Sequence, residues 1–420
     1  MNSQIKKDLK ADLFNKKLVE PESNGRAAYT HYLQSAKKGN GKIFKKEAVK
    51  YLKKTLPNYE TREEEVNNQV AEEALQYLLH DFTEDVPYPK PENPDLKFID
   101  LFAGIGGFRI AGQNVNGECV FSSEWDEAAK NTYFNNFGKV PFGDITKEET
   151  KKFIPMGFDV LCGGFPCQPF SNAGHRKGFE DTRGTLFFDV ADILDRNIRN
   201  ETPVKVVFLE NVKGLKNHDK GNTLKTIINV LRELGYETYY EVLNSKNFGL
   251  PQNRERIFIV AKLIENEKTF KFPFGIDKNN NVIFDKEKLS EIKETRIEDI
   301  LEKNPDEKYT ISDKLYAGHI RRKKEHLEKG NGFGFSLFHG DSSHTNTISA
   351  RYYKDGSEIL ISQEGKNPRK LTPREAANLQ GYDEKFIIHN SNVQAYKQFG
   401  NSVSVPVIQT IFNEIKKQLL

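Results

Sequence analysis

Cys167 is one of three cysteines in the chain. It lies in Gly163-Gly164-Phe165-Pro166-Cys167-Gln168-Pro169-Phe170-Ser171, directly after the apolar run Phe158-Asp159-Val160-Leu161-Cys162. Such a run reads as a buried parallel strand. A thiol on a Pro-bounded loop at the carboxyl end of that strand stands where open α/β sheets meet their ligands. It suits a nucleophile better than a packing residue. Cys162, inside the strand, reads as a small buried hydrophobe, the usual fate of a free cysteine. Glu210, in Glu210-Asn211-Val212, follows the run Val204–Leu209 and puts a carboxyl at a second strand end. Alone it could equally be a solvated acid capping a loop. Gln252-Asn253-Arg254-Glu255-Arg256 leads into another strand. Arginines at i and i+2 face one side of an extended segment, where Arg254 or Arg256 can hold a carbonyl oxygen or a phosphate.

Phe102-Ala103-Gly104-Ile105-Gly106-Gly107 ends the first apolar strand. Glycines at a strand-to-helix turn let a ligand approach the backbone, although they also serve plain packing. Glu124 ends the second strand, where an acid commonly binds ribose hydroxyls. Trp125, the only tryptophan, offers an aromatic face for an adenine ring. Asp144, after Gly143, can accept a bond from an adenine amino group. Together they point to an adenosine-bearing cofactor and leave a nicotinamide and a methyl donor both open. Gln398-Phe399-Gly400-Asn401-Ser402-Val403 is a turn just ahead of the last helix. The cysteines make neither a disulfide framework nor a zinc-ligand spacing, and no metal is expected.

These residues need a scaffold that brings strand ends together. Apolar strands at Phe98–Phe102, Cys119–Ser123, Val160–Gly163, Val204–Leu209, Thr238–Leu243 and Arg256–Ala261 alternate with helical stretches such as Leu186–Ile198 and Thr223–Gly235. That alternation predicts an α/β fold, a doubly wound, mostly parallel sheet with helices on both faces. Residues 264–368 lose the alternation and read as irregular. Helices return with Thr372-Pro373-Arg374-Glu375, where Thr is the N-cap, Pro is at N1 and Glu is at N3, and with Val405–Leu419. Before the sheet, residues 1–90 predict a small helical domain, with lysines from Lys37 to Lys54 followed by acids from Glu60 to Asp85. The lysine excess suggests phosphate contact; the balancing acids suggest a solvated face instead. Val86–Pro94 is a stiff Pro-rich linker.

At 420 residues the chain should hold two or three domains. A hydrophobic share of 37% and a charged share of 29% fit a soluble globular protein. No run approaches the ~18 apolar residues of a membrane span, no secretory signal is visible, and the cytoplasm is the expected compartment. A net charge of +3 is too small to argue nucleic-acid binding, so any basic surface must come from local clustering.

Phe-Ala-Gly-Ile-Gly-Gly, Pro-Cys-Gln, Glu-Asn-Val, Gln-Asn-Arg-Glu-Arg and Gly-Asn-Ser-Val, in this order, resemble the motif series of the DNA (cytosine-5)-methyltransferases. The resemblance runs from about Phe98 to Lys262 and again from Arg369 to the C-terminus. It implies a Rossmann-like catalytic domain using S-adenosyl-L-methionine over residues 97–263, completed by residues 369–420. Residues 264–368 take the place of the target-recognition domain. The implied roles are Cys167 as nucleophile, Glu210 at ring nitrogen 3, Arg256 at the base's O2 and Arg254 in support. Phe102, Gly104, Gly106, Glu124, Trp125, Asp144, Ile145 and Asn401 would hold the cofactor. Gln168, Ser171, Asn331, Arg351, Tyr352 and Lys354 are the expected DNA contacts, because amide, hydroxyl and basic side chains reach base edges and phosphates.

The Gly-Asn-Gly-Phe-Gly and Ser-Ala-Arg-Tyr-Tyr-Lys-Asp-Gly segments resemble the branch of the family that reads CCWGG or CCNGG sites. The expectation is therefore a monomeric prokaryotic modification enzyme on duplex DNA. A restriction endonuclease would share its site without touching it, and residues 1–90 would be a possible DNA-binding repressor. The rival is a tRNA-directed relative, against which the Cys-Phe-Thr-type element typical of those enzymes is not found.

Overall fold

The computed structural model describes residues 24–36, 41–55, 71–76, 86–166, 186–330 and 334–420. Strands β1 (Leu96–Leu101), β2 (Gly117–Ser123), β3 (Val160–Gly164), β4 (Val206–Val212), β5 (Tyr236–Asn244) and β6 (Glu255–Leu263) form a six-stranded sheet in the order β2-β1-β3-β4-β6-β5. β1 pairs in parallel with both β2 and β3. The neighbours of β1 are not its successors alone, so the chain must cross over through helices, which is the doubly wound pattern. All six strands lie where the apolar runs place them. Two compact units result, residues 1–208 with 226–236 and residues 209–225 with 237–420; β4 gives its first half to one and its second half to the other.

In the first unit the central strands are dry. Phe98, Ile99, Val160, Leu161, Cys162, Val206, Val207 and Phe208 are all fully buried. At about 1.5–3 kcal/mol per large apolar side chain, this row holds the strand ends in place. Helices α1 (Gly25–Ala36), α2 (Lys42–Thr55), α3 (Gly107–Asn114), α4 (Glu127–Phe137), the short α5 (Glu148–Lys151) and α6 (Leu186–Arg199) belong here. The next helix, α7 (Asn222–Glu233), lies mostly here. α6 buries Phe187, Val190, Ala191 and Leu194, the i, i+3, i+4, i+7 stripe of an amphipathic helix.

α1 and α2 close an aromatic cluster in this same unit. The ring of His31 lies 4.7 Å from Phe142, 5.3 Å from Phe44 and 6.3 Å from Phe121 on β2. Phe44 in turn lies 5.9 Å from Phe142. His31 is fully buried, with Nδ1 2.8 Å from the Ala27 carbonyl oxygen. The amphipathic pattern of residues 42–55 thus has part of its complement in the rings of His31, Phe142 and Phe153.

The second unit contains β5 from Glu237 onward, β6, and the small antiparallel pair β7 (Gly275–Ile276) and β8 (Val282–Ile283). It also holds α8 (Asp313–Glu328) and the strands β9 (Leu337–Phe338), β10 (Leu360–Gln363) and β11 (Lys366–Lys370), ordered β11-β10-β9. α9 (Pro373–Leu379), α10 (Asn392–Asn401) and α11 (Val405–Gln418) follow. α9 starts as its sequence predicts: Thr372 accepts from the Glu375 amide, Glu375 accepts from the Thr372 amide, and Pro373 opens the first turn. The same buried Glu375 takes a two-pronged pair from Arg369 at 2.7 and 2.8 Å. The stretch read as irregular, 264–368, contains the 16-residue helix α8. His319 is its sole buried residue, so it shows no apolar stripe by which a sequence betrays a helix.

Candidate active site

The cofactor-type residues of the first unit converge on the turn after β1. Phe102 has a left-handed backbone (φ 57°), an uncommon state for a residue with a side chain and a mark of functional strain. Gly106 caps α3 with φ 89°. A Cβ there would meet the Phe137 ring at 2.3 Å, so the turn requires glycine. Glu124 is buried at the end of β2. One carboxylate oxygen accepts from the Gly104 amide at 2.8 Å, the other from the Trp125 and Asp126 amides at 2.9 and 2.8 Å. Burial pushes the Glu124 carboxyl up while these amides pull it down. The carboxylate is thereby aimed, with lone pairs left for hydroxyl donors.

Trp125 beside it is 82% exposed, an indole face without a core to fill. The chain of Gly143 to Ile145 follows a parallel bridge between Ser123 and Phe142. Asp144 is exposed and accepts from the Thr146 amide at 2.9 Å, and Ile145 is buried. Arg109 lies buried on α3 of the same unit, 4.4 Å from the centre of the Phe137 ring. Its role has no local sequence signal.

In the second unit Glu210 stands in the last part of β4. Its Oε1 lies 3.2 Å from Nε of Arg256, with side-chain exposures of 11% and 17%. Burial raises the Glu210 carboxyl above its ordinary value, and Arg256 and then Arg254 oppose the rise. A carboxyl raised in this way beside a guanidinium is a group that can share or give a proton. Arg256 also donates to the Glu255 carbonyl at 2.8 Å. Arg254, two residues before it, is buried and makes different bonds. Its guanidinium donates to the Ser402 carbonyl at 2.6 Å, the Ile348 carbonyl at 3.3 Å and the Gly400 carbonyl at 3.4 Å. Burial lowers it to about 9, so it stays charged at neutral pH. Arg254 therefore ties the Gly400–Ser402 turn, which presents exposed Asn401, to the strand carrying Arg256. Gly400 admits no side chain: a Cβ would meet the Ala350 amide and the Ser349 carbonyl carbon at 2.3 Å.

Cys167, Gln168, Ser171 and Asn331 lie outside the described residues. Cys162 is fully buried in β3, and burial pushes its thiol well up, so it is inert. Of the expected DNA contacts, Arg351 and Lys354 are exposed. Tyr352 is a correction. It is fully buried, its hydroxyl donates to the Ile359 carbonyl at 2.7 Å and accepts from the Leu371 amide at 2.7 Å, so it is a core residue with no face for DNA. Among the described residues no group of His, Cys, Asp and Glu is placed to hold a metal ion. No helix among them is long and apolar enough to cross a membrane.

The family described as C-5 cytosine-specific DNA methylase matches residues 96–417. The chain belongs to this family. It is a DNA cytosine-5 methyltransferase. Curated relatives agree: the Type II methyltransferase M.SsoII of Shigella sonnei is 52% identical over 339 residues, covering 80% of this chain and 84% of that one. The Type II methyltransferase M.HpaII of Haemophilus parainfluenzae is 48% identical over 377 residues, covering 84% and 97%. Among solved structures, that of the S. pombe Dnmt2 methyltransferase superposes with a TM-score of 0.59 at 24% identity, covering 77% of this chain and 99% of that one, a likeness of fold. For this family the expected methyl donor is S-adenosylmethionine, and Glu124, exposed Trp125 and the open turn at Gly104 suit its adenosine part.

Proposed function

We propose that this enzyme methylates carbon 5 of a cytosine flipped out of a short duplex site of the CCWGG or CCNGG type, as the modification partner of a restriction endonuclease in a prokaryotic cytoplasm. The observation that carries the reading is the half-buried Glu210–Arg256 pair: a proton-sharing carboxyl beside a fixed guanidinium matches N3 and O2 of a cytosine. Carbon 5 is a poor nucleophile until the ring is activated. The Cys167 thiolate adds to carbon 6, and a new C–S bond forms as the 5,6 double bond opens. Glu210 delivers a proton to N3, so the electron pair is not stranded on the ring. Arg256 holds O2, and Arg254 keeps the strand and the Gly400 turn in register. S-adenosylmethionine supplies the electrophilic methyl. Loss of the carbon-5 proton to a base then restores the double bond, expels Cys167 as a thiolate and returns the N3 proton to Glu210.

Glu124 would take the ribose hydroxyls, Trp125 the adenine face, Asp144 the adenine amino group and Phe102, Gly104, Gly106, Ile145 and Asn401 the remaining contacts. Residues 264–368 would read the target, with exposed Arg351 and Lys354 as DNA contacts and Gln168, Ser171 and Asn331 as further contacts. Reaching the base requires extrusion from the stack. The enzyme would act as a monomer.

Bisulfite sequencing of DNA from cells expressing the protein tests this. The expected result is one protected cytosine within every CCWGG or CCNGG site. Methylation in another sequence removes the target assignment, and methylation in RNA alone removes the DNA reading.

A further inference from the structure

The family match begins at residue 96, yet the helix α1, well before it, grips the segment that carries Asp144. Pairing along the sheet edge stops at Phe142. Its amide donates to the Ser122 carbonyl at 2.8 Å, and its carbonyl accepts from the Glu124 amide at 2.8 Å. The next amide, that of Gly143, has left the ladder and donates instead to Oδ1 of Asn24 at 3.0 Å. Nδ2 of the same Asn24 donates to Oγ1 of Thr150 and to the Glu149 carbonyl, each at 3.1 Å. One side-chain amide therefore fastens both ends of the stretch from Gly143 to Thr150.

Two side chains of α1 itself hold the approach to that stretch; Asn24 immediately precedes the helix. Oγ1 of Thr30 accepts from the Val140 amide at 3.0 Å, and Nε2 of Gln34 donates to the Phe137 carbonyl at 2.8 Å. Below them the His31 ring packs against Phe142. A bare loop would leave Asp144 free to sample many orientations, and ordering it on binding would cost affinity. A loop already tied loses less.

We propose that α1 is a positioning element of the cofactor site, with Asn24 as the residue that fixes the Gly143–Asp144–Ile145 turn. The proposal rests on the reading of Asp144 and Ile145 as adenine-side residues. Its ligand is the adenosine part of S-adenosylmethionine, and Asn24 itself touches none of it.

Calorimetric titration of S-adenosylmethionine into the full chain, with steady-state kinetics beside it, separates positioning from mere support. Asn24→Ala should weaken the cofactor about 10-fold, the loss of a few hydrogen bonds. It should raise KM for the cofactor equally and leave kcat and KM for DNA within about 2-fold. Asn24→Asp keeps the oxygen facing Gly143 and should recover most of the affinity. Leu33→Ala, which removes a buried side chain of the same helix, should lower thermal stability without changing affinity. A Leu33 variant that weakens the cofactor as much as the Asn24 variant overturns the proposal. So does an Asn24→Ala protein that binds as the wild type does while Asp144→Ala binds weakly. An unchanged Asp144→Ala beside a weakened Asn24→Ala removes the Asp144 assignment and leaves the brace, because Ile145 and the turn's backbone remain. Unchanged affinity in both overturns the brace.

Discussion

Exchanging each of two neighbouring arginines for lysine should damage the enzyme in opposite ways. Arg254 is buried with carbonyl partners at 2.6, 3.3 and 3.4 Å. A lysine is a point donor and can reach one of these carbonyls well. Charge-assisted bonds contribute about 1.5–3 kcal/mol each, and the 3.4 Å contact adds little. Arg254→Lys then forfeits about one good bond and leaves a buried carbonyl unmet, a loss of about 2–3 kcal/mol. For a unit of about 200 residues, about 2–4 °C per kcal/mol gives a fall in Tm of about 4–12 °C. Arg256 is partly exposed and faces Glu210 at 3.2 Å. Arg256→Lys should change Tm by less than about 2 °C, since a lysine can still meet a carboxylate. It should lower kcat/KM by about 10²-fold through the loss of a placed donor on O2. Differential scanning fluorimetry and tritiated-methyl incorporation measure both. If Arg254→Lys melts like the wild type while Arg256→Lys loses stability and keeps its rate, the assignment of roles to the two side chains is wrong.

Cys167→Ser should abolish methylation while retaining DNA affinity, and 5-fluorocytosine DNA should trap the wild-type enzyme covalently. Cys162→Ser should keep activity and cost about 1–3 kcal/mol, measured by urea denaturation, because a hydroxyl would be buried there. Glu210→Gln should lower kcat far more than DNA affinity, since it keeps the shape but cannot pass a proton; equal losses in both would refute its role as proton donor. His31 is held neutral by burial first, with Lys139 and Arg109 adding to the effect. Its depressed value means full stability above the unfolded pKa of 6.5 and loss as pH falls below it, by up to about 1.4 kcal/mol per pH unit. The difference between wild type and His31→Phe, followed by thermal melts from pH 7.5 to 5.5, should show that slope. Reversing Lys42, Lys46 and Lys50, all exposed on α2, should weaken duplex DNA binding and flatten its salt dependence. An unchanged salt slope would make the stripe a solvated face.

The central strands β1, β3 and β4 were legible because they are short, largely apolar runs, as burial on both faces demands. α9 was legible because a capping box is written in four consecutive residues. The partners of α1 were not legible, since Asn24, Thr30 and Gln34 act on backbone atoms about a hundred residues away. Tyr352 misled for a physical reason. Exposed Arg351 and Lys354 surround it, and a single inward side chain in a polar loop leaves no periodicity. The two arginines at i and i+2 read as equals, because extended spacing fixes a face but not which partners wait there. Glu210 became readable as a candidate only through its neighbours; its burial beside Arg256 is a fact of the fold.

The collision that forbids a side chain at Gly400 also bears on how specificity can be exchanged between such enzymes. Ser349 and Ala350 press on that glycine, Ile348 receives Arg254, and Thr345 bridges to Gln252. The stretch from Thr345 to Ala350 thus packs on the Gly400 turn and on Arg254, although it sits inside the region proposed for target reading. A chimera joined just after residue 368 would import a foreign version of this stretch and should unseat the Gly400–Ser402 turn. One whose donor segment ends before Thr345 leaves the seat intact and confines the change to what the enzyme reads.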